Sequence, residues 1–172
     1  MFKFKLLILF FFIFTNNGLS HEKIIFIDMN MILQNSNAGN QIKDILEKKI
    51  NDDKNTLKEI FNSIKNEEEK LINQKNILSE QDYNEKLAIL KVRFNDYQAL
   101  AEKKNQEILS FKNELETVFF KKFTQVIQSY AAENKVDLIF DKKNLIIGIK
   151  AIDKTNEILE LTNNELTSIS LN

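Results

Sequence analysis

The pattern of apolar and polar positions changes period twice along the chain. "KIIFI" (Lys23–Ile27) is a short apolar run in which Ile24 and Phe26 face one way and Ile25 and Ile27 the other, as in a strand that needs cover on both sides. From Gln41 to Asn134 the chain is rich in Lys, Glu, Asn, Leu, Ile and Phe and holds neither Gly nor Pro, so the usual helix breakers are missing. In the first part of this segment Ile50, Leu57, Ile64, Leu71 and Leu78 recur every seven residues. Leu46 and Ile60 fill the intervening position, which Asp53, Glu67 and Gln74 interrupt. In the second part Leu87, Leu90, Phe94, Tyr97, Ala101, Ile108, Phe111, Leu115 and Val118 alternate steps of three and four, with Lys104 as the polar exception. Such a repeat marks the seam of supercoiled helices.

The two parts are out of phase, since Leu78 and Leu87 are nine residues apart. Between them Ser79, followed three residues later by Asp82, is a variant of the capping box that opens a new helix. The pattern therefore predicts a turn near Asn76–Ser79 between two antiparallel helices, roughly 41–77 and 80–134, spanning about 55 Å and 80 Å at ~1.5 Å per residue. A continuous dimeric coiled coil through residue 134 is the alternative, disfavoured by the register break and the cap. The polar seam residues are expected to thin the core of the arm and to let it bend and splay. Phe61, Ile72, Ile89, Val92, Leu100 and Leu109 lie off the seam. They are either scattered surface side chains or candidate client contacts on a weakly adhesive inner surface.

After the long helix the period falls to two. "VDLIFD" (Val136–Asp141) and "NLIIGI" (Asn144–Ile149) read as strands joined through Lys142 and Lys143. Three short strands are too few to close a barrel or build a full core in one chain. Phe119, Phe120, Phe123 and Tyr130, near the end of the long helix, can cover one face. Copies of the chain are the natural cover for the other, and they also hide strand edges. Ile24, Phe26, Leu138, Phe140, Ile147, Phe119 and Phe123 are the candidate residues of this body. "AIDKTNEILELTNNEL" predicts a closing helix capped by Asp153 or Thr155, with Ile158, Leu159 and Leu161 packing back. The expected fold is α+β and mostly α, with a β-body from 21–40 and 135–172 and an arm from 41–134.

Residues 1–20 add the compartment. Lys3 and Lys5, the nine-residue apolar run Leu6–Phe14, and the small residues Gly18 and Ser20 have the layout of a secretory signal peptide cleaved after Ser20. A retained anchor is the alternative, but a spanning helix needs ~20 apolar residues. Without Cys, neither a lipid anchor through Cys nor a disulfide is available. Loss of Lys3 and Lys5 leaves 22 basic against 25 acidic residues, a net charge near −3 that gives no reason to expect nucleic acid or strong attraction to an anionic membrane.

Catalytic chemistry has no candidate. The single histidine, His21, falls at the expected mature N-terminus, which leaves no zinc-ligand set. Gly39 and Gly148 are the only glycines after cleavage, so there is no phosphate-cradling loop. No enzyme activity, cofactor or metal is expected.

Both ends of the chain carry a resemblance. "IIFIDMNMILQNSNAG" has an apolar strand, then Asp, a short helix with a Leu-Gln step and a Ser-x-Ala-Gly turn. "AAENKVDLIFDKKNLIIGIKAIDKTNEILELTN" has a helix terminus, an Asp-Leu strand closed by Asp, a second strand and an Ile-Asp-x-Thr closing helix. In these features, over nearly all of residues 22–164, the sequence resembles the Skp/OmpH family of periplasmic chaperones. The resemblance implies a homotrimer shaped like a jellyfish. Strands from three subunits would form its barrel, and three helical hairpins would surround a cavity that holds unfolded outer-membrane β-barrel proteins without ATP.

One departure concerns charge. Best-known relatives have cationic arm tips, whereas residues 65–93 here carry six basic and six acidic groups. At most weak contact with lipopolysaccharide or membrane follows. An exported coiled-coil scaffold for a folded partner is the competing reading, and an envelope lipid binder a third that the acidic balance disfavours.

Overall fold

The computed structural model of the chain describes residues 22–169; the expected leader, its cleavage position and His21 lie outside the described residues. Strand β1 (Ile24–Ile27) leads into a short helix α1 (Met29–Asn35) and then into two long helices, α2 (Asn37–Asn73) and α3 (Glu80–Asn134). Strand β2 (Leu138–Asp141) and a closing helix α4 (Thr155–Glu165) follow. β1 and β2 pair in parallel, with Ile24 opposite Leu138 and Phe26 opposite Phe140. Parallel neighbours cannot be joined by a tight turn and need a crossover. Here the crossover is the whole helical arm, which accounts for one short strand standing ahead of so long a helical run.

The two sheet faces have different fates. Ile25 and Ile27, with half-buried Ile139, face a core shared with Ile32 of α1, Ile42 of α2, Leu115, Phe119 and Phe123 of α3, and Ile158 of α4. Phe119 stacks on Phe123 at 5.7 Å between ring centroids and meets Phe120 edge-on at 5.5 Å, both favourable aromatic arrangements. Phe119 and Phe123 therefore belong to the chain's own core. The opposite face carries Ile24, Leu138 and Phe140, exposed by 37 %, 47 % and 42 %. Phe26, on the same face, is only 5 % exposed, because Gly148 lies across its ring and leaves no room for a Cβ.

The expected third strand over Asn144–Ile149 does not form. Lys142–Asn144 makes a 3-10 turn, Leu145 and Ile149 keep extended dihedrals, and no ladder pairs the segment. Alternating apolar residues report two greasy faces, but a strand also needs a neighbour to exchange hydrogen bonds with. The second edge of β1 is already taken by a parallel bridge between Phe26 and Asp153, with the Lys154 amide donating to the Phe26 carbonyl at 3.0 Å. β2 begins at Leu138 and not at Val136, because the chain first leaves α3 through Lys135 in the left-handed conformation (φ 54°) and the Val136 amide turns back to the Ala131 carbonyl.

The end motifs are junction chemistry. Asp28 caps α1 by accepting from the Met31 amide at 2.9 Å, and Ser36 caps α2 by accepting from the Gly39 amide at 3.0 Å. The Thr155 hydroxyl accepts from the Asp28 amide at 3.0 Å and donates to the Asp153 carboxylate at 2.5 Å, which also accepts the Thr155 amide. Burial works against the Asp153 charge, but these two hydrogen bonds prevail and hold its carboxyl below the usual range. This buried hydroxyl ties the closing helix to the end of β1. Thr155→Val is expected to cost about 1–3 kcal/mol, since it strands one donor and one acceptor. Chemical denaturation of the variant measures it.

Candidate functional site

The arm is a hairpin, as the register break predicts. α2 ends at Asn73, four residues earlier than expected, and the chain reverses through 74–78. Ser79 caps α3 by accepting from the Asp82 amide at 3.1 Å, while its hydroxyl donates to the Asp82 carboxylate at 2.7 Å. Packing thins from root to tip. Leu115 and Phe119 are fully buried at the root; toward the tip only Ile64 and Leu71 are buried, and Leu87, Leu90 and Tyr97 are half-covered.

The polar residues in the seam do more than thin it. Asp53 meets Lys104 across the hairpin at 3.0 Å and Lys49 along its own helix at 3.2 Å, and Lys104 also reaches Glu107 at 3.1 Å. Glu67 pairs with Arg93 from the facing helix. Three of the four expected weak points, Asp53, Glu67 and Lys104, thus take part in two cross-links that fix the sliding register of α2 on α3. The Lys104 hydrogen bond is the main reason the Asp53 carboxyl titrates below its ordinary range, and Asp53 in turn holds the Lys104 ammonium above its own.

A lowered carboxyl contributes its stability in full above the unfolded value of about 4, and loses it as pH falls through the folded value. A raised ammonium contributes below about 10.4 and loses its share as pH rises through its folded value. The pair is complete from about pH 5 to 10. Asp53→Asn is therefore expected to lower the thermal midpoint at pH 7, by an amount that shrinks between pH 5 and pH 3. A deficit unchanged over that range would contradict it.

The candidate client residues are exposed or half-exposed, but they do not form one surface. Glu67, Lys70 and Gln74 with Lys86 and Ile89 line a shallow groove on one face of the tip. Ile64 and Glu68 with Leu87, Lys91 and Phe94 line a second on the other face. At ~100° per residue, Val92 and Leu100 share the side of Ile89, whereas Leu109, Phe61 and Ile72 fall on the side of the second groove. Phe61 is also engaged within the arm, its ring 5.6 Å from that of Tyr97, which lies 6.2 Å from Phe94. The sequence allows scattered surface side chains or an inner surface; the structure distributes the candidates over two flanks of the arm.

At the body, Leu138 and Phe140 are 47 % and 42 % exposed and Ile147 is 88 % exposed. Ile24, Leu138 and Phe140 make an open apolar sheet face, and Ile147 stands exposed in the unpaired segment 145–149. Sequence reasoning missed the polar tie beneath this body. The Tyr130 hydroxyl donates to Glu157 at 2.8 Å, and Lys154 reaches the same carboxylate at 2.8 Å. Burial, reinforced by Glu157, pushes the Tyr130 phenol up to about 12. Lys154, more than Tyr130, holds the Glu157 carboxyl low. No sequence signal links these residues, since their meeting depends on how α4 docks on α3.

Among the described residues no cluster of three or more His, Cys, Asp or Glu is placed to hold a metal, and no helix is long and apolar enough to cross a membrane. No curated protein matches the chain. Among solved structures, one from Caulobacter crescentus described as an OmpH-like outer membrane chaperone superposes with a TM-score of 0.82 at 14 % identity, covering 90 % of this chain and 92 % of its own. At that identity the match speaks for the shared fold. The family model for outer membrane protein (OmpH-like) matches residues 23–161. The arm, the parallel strand pair it connects, the first end motif and all but the last two residues of the second fall within that match, and the chain belongs to the OmpH-like family.

Proposed function

We propose that this protein is an ATP-independent periplasmic holdase, exported by its leader, that keeps unfolded outer-membrane β-barrel proteins from aggregating in a cavity between helical arms. The observation that carries the reading is the arm itself. It is a long, thinly packed hairpin with Ile72, Ile89, Val92 and Leu109 each more than half exposed on its two flanks. An unfolded barrel protein exposes alternating apolar side chains, and many weak, sequence-tolerant contacts hold such a chain while leaving it mobile. The tip is near-neutral and internally paired, through Arg93 with Glu67 and Lys65 with Glu69, which favours apolar over electrostatic capture.

The proposed working unit is a homotrimer. The open face of Ile24, Leu138 and Phe140 needs cover, and the bare edge of β2 and the unpaired 145–149 segment, extended at Leu145 and Ile149, are complementary in kind. A neighbour's 145–149 segment supplies the strand that each chain lacks.

Residues 21–172 are expected to suppress light scattering from a urea-unfolded outer-membrane barrel protein at about one trimer per client. Unchanged aggregation at several-fold excess overturns the reading. Ile89→Ser with Leu100→Ser is expected to weaken client retention at unchanged native mass.

A further inference from the structure

Beyond α4 the chain does not trail off. Leu166 and Ile169 are each only 5 % exposed and lie in the main core, which also holds Ile42 of α2 and Leu115 of α3. Between them the backbone is held by two side chains. The Gln41 amide donates from Nε2 to the Thr167 carbonyl at 2.9 Å, and its Oε1 accepts the Ile169 amide at 3.0 Å. A carboxamide that donates to one residue and accepts from another two positions on copies the way a strand residue pairs with its neighbour. From the other side, Lys122 of α3 donates to the Ser168 carbonyl at 2.9 Å. Just above, the Asn163 side chain of α4 accepts the Asn37 amide at the first turn of α2 at 2.7 Å. The stretch 166–169 is thus gripped by the root of α2 through Gln41 and by the root of α3 through Lys122.

We infer that residues 166–169 form a strap that ties the root of α2 to the root of α3 and sets how far the arm moves relative to the sheet, with Gln41 as its positioning residue. Besides side-chain packing, single hydrogen bonds from Asn37 to Asn163 and from Tyr130 to Glu157 tie each root to α4. The strap adds three directional bonds to backbone atoms, and such bonds resist shear and twist where apolar contacts slide. It acts at the root, where a small angular change is multiplied along a long lever. The inference holds whether or not the arm takes clients.

The test is hydrogen exchange on residues 21–172 at matched native mass. Gln41→Met keeps the length of the side chain and removes both polar atoms. Amides of residues 40–49 and of Ile169 are expected to exchange about tenfold faster, as loss of two hydrogen bonds would allow. Amides of residues 85–95 at the tip are expected to stay within twofold of the parent. The proposal fails if exchange at 40–49 stays within twofold, or if the tip accelerates as much as the root, which would mean general destabilisation. Should Gln41→Met not fold, Lys122→Met removes the opposite clamp alone and is read by the same two criteria.

Discussion

Replacing Leu138 and Phe140 together by Asp is expected to reduce the native mass from three chains to one at micromolar concentration, while far-ultraviolet circular dichroism stays close to that of the parent. Both side chains lie open on the sheet face of a single chain, so the charges cost the isolated fold little. In the proposed trimer the same positions are buried against other copies, where each unpaired carboxylate costs several kcal/mol, and three copies contribute. Phe26→Asp, though it is expected to dissociate the assembly too, is a poorer probe. Phe26 already lies beneath Gly148 in its own chain, so its loss damages the fold along with any interface. A double variant that keeps the three-chain mass in sedimentation equilibrium would remove this face from the assembly. A parent chain that is itself a well-folded monomer would remove the trimer altogether.

Gly39→Ala is expected to destabilise the chain by about 3 kcal/mol, at the upper end of what an added methyl group does in a packed interior. Gly39 sits in the first turn of α2, and a Cβ built on it falls 1.6 Å from the carbonyl oxygen of Leu33 and 2.7 Å from its carbonyl carbon. Its backbone dihedral is ordinary, so the requirement is one of space. The obstacle is the backbone of α1, which cannot rotate away as a side chain would. To make room α1 must move, and α1 carries buried Ile32 and the Asp28 cap that holds Thr155. Because the Ser36 cap depends on the Gly39 amide, the shift also loosens the start of α2. Urea denaturation of the two proteins measures the loss. A change below about 1 kcal/mol would show that α1 yields freely, since a compatible glycine-to-alanine change is neutral or stabilising.

Most of the arm was legible in the sequence because its information is local. The heptads gave the two helices, the phase break gave the turn, and Ser79 with Asp82 marked the start of α3 to the residue. The pairing of Asp53 with Lys104 was within reach as well. The two lie nearly equidistant from Ser79, as do Glu67 and Arg93, so a hairpin turn at that point brings them opposite. Read one helix at a time, they looked like defects.

The β-body was less legible, for a different reason. Apolar alternation in Asn144–Ile149 describes side-chain faces and carries no information on which strand edge is free. In one chain the edge of β1 had already gone to Asp153, and nothing near the sequence of β1 says so. The split of the client candidates between two flanks also needed the hairpin first, because the side on which a residue falls depends on where its partner helix lies.

The parallel pairing of β1 with β2 also sets an order of events. As the polypeptide is made from its N-terminus, β1 emerges first and its partner arrives only after the full length of α2 and α3. A contact closed across so long a loop forms slowly unless the intervening chain is already compact. The heptads are close in sequence and are expected to zip first, which would bring the roots of the hairpin together and deliver β2 to β1 across a much shortened loop. The arm is then the template on which the sheet assembles, through the same root residues of α2 and α3 that pack against its inner face, and variants that weaken its heptads are expected to slow the pairing of the strands.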